Sequence, residues 1–327
     1  MERVLRDKRV LVTGGAGFIG SNLVESLLLS GNYVICLDNF STGKKENLTD
    51  FLNQPAFKLI EGDIRNYEDC IQAVRDVNIV FHQAALGSVP RSIKDPVTTT
   101  DVNIGGFVKI LFASKEAGVK RFIYAASSST YGDHPDLPKI EDKIGGPLSP
   151  YAITKYVDEL YAANFSKTYG IEVIGLRYFN VFGRRQDPEG PYAAVIPKFA
   201  KMLMEHKSPV INGDGTISRD FTYIDNVLQA NHLAALVENI DAINQVYNVA
   251  HGERTTLNQL FSLIREIAGK IDNSILEIEP EYGPERAGDI PHSQASIEKA
   301  KRLLGYAPTH NVAEGLEEAN EWFRKYL

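Results

Sequence analysis

The run Val10-Leu11-Val12-Thr13-Gly14-Gly15-Ala16-Gly17-Phe18-Ile19-Gly20 constrains this chain more than any other stretch. A short apolar strand enters a glycine-rich turn, and a helix opens beyond it with Ser21 and Asn22 and carries Leu23, Val24, Leu27 and Leu28 at helical spacing. Gly31 closes that helix, and a second apolar run, Tyr33 to Leu37, ends in Asp38. Such a β-α-β unit lets phosphate oxygens approach backbone N–H groups at the positive end of a helix, and a Cβ in the turn blocks that approach. A carboxylate about 20 residues beyond the turn accepts hydrogen bonds from an adenosine ribose and repels a 2′-phosphate. The unit therefore predicts dinucleotide binding, with NAD favoured over NADP. Gly14, Gly17 and Gly20 give the spacing G-x-x-G-x-x-G. The competing reading is an ordinary strand–turn–helix with chance glycines, and Asp38 decides against it.

With 327 residues the chain has room for two domains and a large core. A formal net charge of −7 argues against nucleic acid or an anionic membrane as partner. Neither a membrane-length apolar run nor a signal peptide is visible, so the expected compartment is the cytosol. Cys36 and Cys70 are the only cysteines and suggest neither a disulfide framework nor a zinc site. The seven histidines show no metal-ligand spacing, so no metal is expected. His82, at a strand end, reads as a structural hydrogen-bonder.

Strands and helices alternate through the first half, which predicts an α/β fold: a Rossmann-type doubly wound parallel sheet. Further strands are expected at Phe57–Ile60, Asn78–His82, Arg121–Ala125 and Glu172–Leu176. Helices are expected at Tyr67–Asp76, at Pro96–Ala117 without interruption, and at Tyr151–Tyr169, with 83–95 as a loop. Later helical patterns fall at Val195–His206, Ile224–Val237, Leu257–Ala268 and Val312–Tyr326. The expected division is a dinucleotide-binding domain over 1–180, with a return segment near 222–250, and a smaller α/β domain mainly over 181–327. Val246–Val249 is the candidate returning strand. Ligands of an open parallel sheet bind beyond the carboxyl ends of its strands. Asp38, Asp63, the loop after His82, the serines after Ala126 and the Tyr178-Phe179-Asn180 loop should share that rim.

Tyr151 and Lys155 are four apart near a helix start and share a face. A phenol ordinarily ionises near pH 10, and a neighbouring ammonium favours its phenolate. Tyr151 can then take a hydroxyl proton while hydride leaves the same carbon, with Lys155 also holding a ribose. Ser127, Ser128 and Ser129 follow a strand, and a hydroxyl there can relay that proton. Arg219 and Arg286 are candidate phosphate clamps, since guanidinium donors match two oxygens at once. Taken singly, each of these features has an ordinary surface or turn explanation.

Together they resemble the extended short-chain dehydrogenase/reductases, and within them the nucleotide-sugar 4-epimerases. The resemblance spans essentially the whole chain: Thr13–Gly20, Asp38-Asn39, Gly62-Asp63-Ile64, Ser127–Gly132, Pro150–Lys155 and Arg177–Asn180. It implies that NAD meets Gly14, Gly17, Phe18, Ile19 and Gly20 in the first turn. Asp38, Asn39, Phe40, Ser41, Thr42 and Gly43 would follow after the second strand. Asp63, Ile64, Gln83, Ala84, Ala85 and Asn103 would also contact NAD, as would Tyr151, Lys155 and Phe179. Tyr151, Lys155 and Ser127 would be catalytic. The substrate, a UDP-hexose, would touch Ser88, Ser127, Ser128, Ser129 and Tyr151, and its UDP part Asn180, Arg219, Arg286 and Asp289. Ala194, Val195, Asn212 and Ser293 would line the remainder. The helices from about Pro96 and Tyr151 correspond to those that pair across the family's homodimer.

Gln83 to Ser92 is similar to bacterial UDP-N-acetylglucosamine 4-epimerases of surface-polysaccharide pathways. UDP-glucose 4-epimerases usually carry a lysine where Gly87 stands. Ser293 occupies the position where a bulky tyrosine restricts the family's site to unacetylated sugars, so the acetylated pair is expected. The implied reaction inverts C4 through a 4-keto sugar, with NAD taking and returning the hydride. The rival readings are a UDP-glucose 4-epimerase proper, a 4,6-dehydratase and a non-catalytic NAD sensor. Ser128-Ser129 stand where a dehydratase carries Asp-Glu, and a sensor has no need of Tyr151 and Lys155.

Overall fold

The computed structural model describes residues 3–189, 193–285 and 291–326. Seven parallel strands form its central sheet: β1 (Arg9–Thr13), β2 (Tyr33–Asp38), β3 (Phe57–Glu61), β4 (Ile79–His82), β5 (Arg121–Ser127), β6 (Glu172–Tyr178) and the strand Gln245–Val249. Their spatial order is Gln245–Val249, β6, β5, β4, β1, β2, β3, so the chain reverses its winding direction between β1 and β4. Registers are regular, with Val10 opposite Val34 and Ile79, and Tyr247 opposite Leu176.

The strands are apolar at nearly every position because both faces are covered. Val10, Val12, Val34, Cys36, Phe81, Ile123 and Ile174 point to one side, and Leu11, Ile35, Leu37, Val80, Phe122 and Val173 to the other. The first side is covered by α1 (Phe18–Leu29), through Leu23, Val24 and Leu27, and by α8 (Ile224–Leu236), through Ile224, Val227 and Leu233. The second carries α2 (Tyr67–Ala73), α5 (Phe107–Glu116) and α6 (Pro150–Tyr169). The core of the first face runs without a break into the later helices α7 (Val195–Met204), α9 (Leu257–Gly269) and the helix Val312–Tyr326, where Phe199, Phe261, Leu316 and Phe323 are buried.

Three expectations are corrected here. The segment 83–95 holds a helix, α3 (Val89–Lys94), started by the Ser88 hydroxyl, which accepts from the Arg91 N–H at 3.1 Å, and by Pro90 in its first turn. The helix from Pro96 is not uniform: α4 (Pro96–Thr100) passes through a widened π-type turn, Asp101–Gly106, before α5. β5 extends two residues beyond Ala125, carrying Ser127 to the strand's last position.

One buried ion pair fastens α6 to the sheet. Arg177 on β6 donates to both Glu159 oxygens at 2.8 and 2.7 Å, and also to the Glu141 carbonyl. Arg177→Met should strand the Glu159 carboxylate in the core and cost about 3–5 kcal/mol in urea unfolding. A loss below about 1 kcal/mol would contradict this placement of the charge.

Candidate active site

A cleft of about 470 Å³ lies across the carboxyl ends of β1, β2, β4, β5 and β6. Its floor is the glycine turn. Gly14 has φ +69°, and a Cβ there would lie 2.7 Å from the Ala84 backbone. A Cβ on Gly20 would lie 2.0 Å from the Gly14 carbonyl oxygen. These two glycines are demanded by the protein's own packing. Gly17 differs: it precedes α1 with extended backbone, and its Cβ would meet nothing closer than 3.3 Å. The space it leaves belongs to the cleft, directly before the positive end of α1.

Asp38 lines the cleft, its Oδ2 accepting from Ala16 N at 2.9 Å and its Oδ1 from Phe40 N at 2.8 Å. Burial pushes its carboxyl upward and the two N–H donors pull it back. Each oxygen keeps a lone pair for a further donor. Asp63 accepts from Asn39 at 2.8 Å and from Arg65 at 2.7 Å, and Arg65 holds its carboxyl down at about 2. Ser41, Thr42, Gly43, Ile64, Gln83, Ala84 and Ala85 complete this end.

At the other end Ser127, Tyr151 and Lys155 share one wall with Asn180. Ser127 closes β5 and its Oγ accepts from the Ser129 N–H and hydroxyl at 3.2 and 2.9 Å. Ser149 caps α6 by accepting from Ala152 N at 3.1 Å, with Pro150 in the first turn, so Tyr151 sits half-buried at the helix start. Lys155 is buried and donates to the Ala125 carbonyl at 3.0 Å and to Asp158 Oδ2 at 3.3 Å. Burial pushes the Asp158 carboxyl upward while Lys155 pulls it down. The π-type turn aims Asn103 between two elements: Leu86 N donates to its Oδ1 at 2.8 Å, and its Nδ2 donates to Thr154 Oγ1 at 3.0 Å. His82 hydrogen-bonds Thr13 at 2.8 Å beneath this wall, and burial, assisted by Lys155, lowers it to about 3.

Other expected residues lie outside the cleft wall. Phe179 is fully buried against Tyr131, and Phe40 packs on the core under Lys45. Asn103 reaches the cleft only through Leu86. Ser88 is spent on the α3 cap, and Ser128 and Ser129 enter a short 3₁₀ turn. Ala194 and Val195 start α7, and Asn212 ends the short strand Val210–Asn212. Arg219 donates to the Ser218 and Pro291 carbonyls, and Ser293 N donates to Ser218 O at 3.1 Å, so the two share one small patch. That patch is tied to the cleft by Asn180, whose Nδ2 donates to the Asp220 carbonyl at 2.9 Å. The Asp220 side chain is fully buried and accepts from His251 N, Gly252 N and Ala295 N. Arg286 and Asp289 lie outside the described residues.

Sequence reasoning missed Lys44, Arg91, Arg185 and Asp187 on the cleft wall. Lys44 pairs with Asp187 at 3.1 Å, and Arg185 with Glu25 at 2.9 Å, joining segments remote in sequence. Only Arg91 carried a local signal, the Ser88–Pro90 helix start.

A doubly wound parallel sheet with an open glycine cradle and a cleft-lining carboxylate at the end of β2 defines a dinucleotide-binding α/β protein. The model of the "NAD dependent epimerase/dehydratase family" matches residues 10–250, and the chain belongs to that family. It is 36% identical over 318 residues to the UDP-glucose 4-epimerase of Mycolicibacterium smegmatis, covering 97% of this chain and 98% of that one. Among solved structures it is similar to the UDP-N-acetylglucosamine 4-epimerase of Methanobrevibacter ruminantium M1 in complex with UDP-N-acetylmuramic acid, at TM-score 0.92 and 40% identity, covering 99% and 100%. It is also similar to the UDP-glucose 4-epimerase of Thermus thermophilus complexed with NAD, at TM-score 0.85 and 34% identity, covering 99% and 100%. NAD is the cofactor, and the cradle at Gly17 fits its pyrophosphate. No helix among the described residues is long and apolar enough to cross a membrane.

Two outcomes follow from this geometry. Gly17→Ala should weaken NAD binding at least about tenfold while the protein's own melting temperature hardly moves, because the added methyl fills ligand space. Calorimetric titration and thermal unfolding of the NAD-stripped protein check this; a large fall in melting temperature would put the constraint inside the fold. His82 stays neutral down to about 3, whereas an unfolded histidine takes its proton near pH 6.5. The unfolded state therefore binds more protons in that window, and the stability His82 contributes is present above it and lost as pH falls. Between pH 7 and pH 4 His82→Gln should flatten the decline by on the order of 3 kcal/mol.

Proposed function

We propose that this protein is a UDP-sugar 4-epimerase whose substrates are UDP-N-acetylglucosamine and UDP-N-acetylgalactosamine, serving surface-polysaccharide precursor synthesis. The observation that carries the reading is the convergence of Tyr151, Lys155 and Ser127 on one wall of the cleft that has the glycine cradle for its floor. Membership of an NAD-dependent epimerase/dehydratase family and relatives named for both UDP-N-acetylglucosamine and UDP-glucose epimerisation support it.

NAD, when bound, supplies a reversible hydride acceptor. The turn at Gly17 holds its pyrophosphate, Asp38 its adenosine ribose, and Lys155 its nicotinamide ribose. Tyr151 removes the proton from the sugar O4 as C4 is oxidised and returns it after the ring has turned over. Ser127 hydrogen-bonds the same oxygen and relays the proton. Arg219, Asn180, Arg286 and Asp289 hold the UDP, which stays fixed while the sugar rotates. That constant grip is why truncated substrates should lose rate as well as affinity. Ser293, small and beside Arg219, leaves room for the N-acetyl group.

The same reading divides the chain into an NAD-binding part over 1–180, with its return near 222–250, and a sugar-binding part mainly over 181–327. It also makes the protein a homodimer. Ile93 on α3, Val97 on α4, and Ile153, Leu160 and Tyr161 on α6 are exposed and apolar, which fits pairing of these helices between subunits.

The test supplies UDP-N-acetylglucosamine and UDP-glucose separately, with no NAD added. Both should turn over if NAD is resident, the acetylated sugar faster. A strong preference for UDP-glucose would remove Ser293 from its role. Tyr151→Phe should lower kcat at least about 100-fold with NAD still bound. Undiminished turnover would eliminate the base.

A further inference from the structure

The Lys155 ammonium has three N–H donors. The Ala125 carbonyl takes one at 3.0 Å and Asp158 Oδ2 takes another at 3.3 Å, leaving one for the cleft that Lys155 lines. Both side chains of the pair are nearly inaccessible, at 3% and 1% exposure. Asp158 Oδ1 is buried with no hydrogen-bond partner. A carboxylate half-satisfied in the core is costly. It lies one turn beyond Lys155 on α6, whose second residue is Tyr151.

Among the described residues, the other titratable groups around the pair carry no charge available to Lys155. Glu159, next on α6, is bound through both oxygens by Arg177 of β6. Tyr124 of β5 is neutral, its phenol raised far above the ordinary range by burial. His82 of β4 is neutral at all but strongly acidic pH. Burial raises the Asp158 carboxyl to about 7 against the pull of Lys155, so in its ionised form it is the group that balances Lys155, which shares a helix face with Tyr151 one turn away.

We propose that Asp158 is a positioning residue for the reaction: it pins the Lys155 amine so that a single N–H enters the cleft, and it offsets part of the ammonium's field on Tyr151. This rests on the functional reading above. In a buried site, removing the carboxylate charge exposes Tyr151 to the full ammonium and favours its phenolate.

The test is Asp158→Asn in the NAD-loaded protein. The amide oxygen can still accept from Lys155, so packing is kept while the charge is removed. The acid limb of the kcat–pH profile should move to lower pH by about one unit, with KM for the UDP-sugar within about twofold of wild type. Asp158→Ala, which also frees the amine, should show the same displacement and a kcat lowered at every pH. It keeps the question open to measurement if the Asn variant does not fold. Tyrosinate absorbance gives a readout independent of turnover. The difference between each variant and its Tyr151→Phe counterpart, titrated with NAD bound and no sugar, should show the phenolate forming at lower pH. An acid limb and an absorbance titration both at their wild-type positions would overturn the proposal. A wild-type protein that converts no UDP-hexose would instead remove the epimerase reading and leave the absorbance titration to decide the role of Asp158.

Discussion

Burial of both faces of a parallel sheet is the constraint from which the site follows. Val10, Leu11 and Val12 alternate between two sealed cores, and the neighbouring strands do the same. No polar group can reach a ligand from the middle of such a strand. Polar chemistry is left to the strand ends, where the backbone stops pairing and a side chain can turn toward the rim. Asp38, Ser127 and Asn180 stand at or just beyond the ends of β2, β5 and β6.

Once the rim holds polar groups, each must be kept from collapsing onto the next. The structure does this with second partners drawn from backbone. Asp38 is fixed by two N–H groups, Ser127 by the turn it begins, and Lys155 by the carbonyl of Ala125. Arg177, bridging β6, Glu159 and Glu141, does the same for the sheet beneath them. The polar groups left for a ligand are those whose orientation is already set, which limits the ordering required on binding.

What could be read in the sequence divides along the range of the interaction. The glycine turn, the strand alternation and the Ser149-Pro150 helix start are local, and they identify the sheet and the position of Tyr151. The π-type turn at Asp101–Gly106 was not legible, because it arises where Asn103 reaches both Leu86 and Thr154. Gly106 gives it room, since a Cβ there would lie 2.5 Å from Ile64. Lys44 with Asp187 joins two loops and Arg185 with Glu25 joins a loop to α1, segments whose sequences carry no mark of each other. Phe179, expected at the cofactor, is turned into the core beside Tyr131, an orientation that a motif cannot reveal.

Asp220 has a consequence for the order in which the molecule is completed. Its oxygens gather amides from His251, Gly252 and Ala295, and its carbonyl anchors Asn180 at the cleft. During synthesis on the ribosome, the strands through β6 can assemble while the last of these amides is still untranslated. Until Ala295 emerges, the acid lacks one of its amide donors, so the anchor that holds Asn180 at the cleft is completed after the strands of the central sheet have been synthesised.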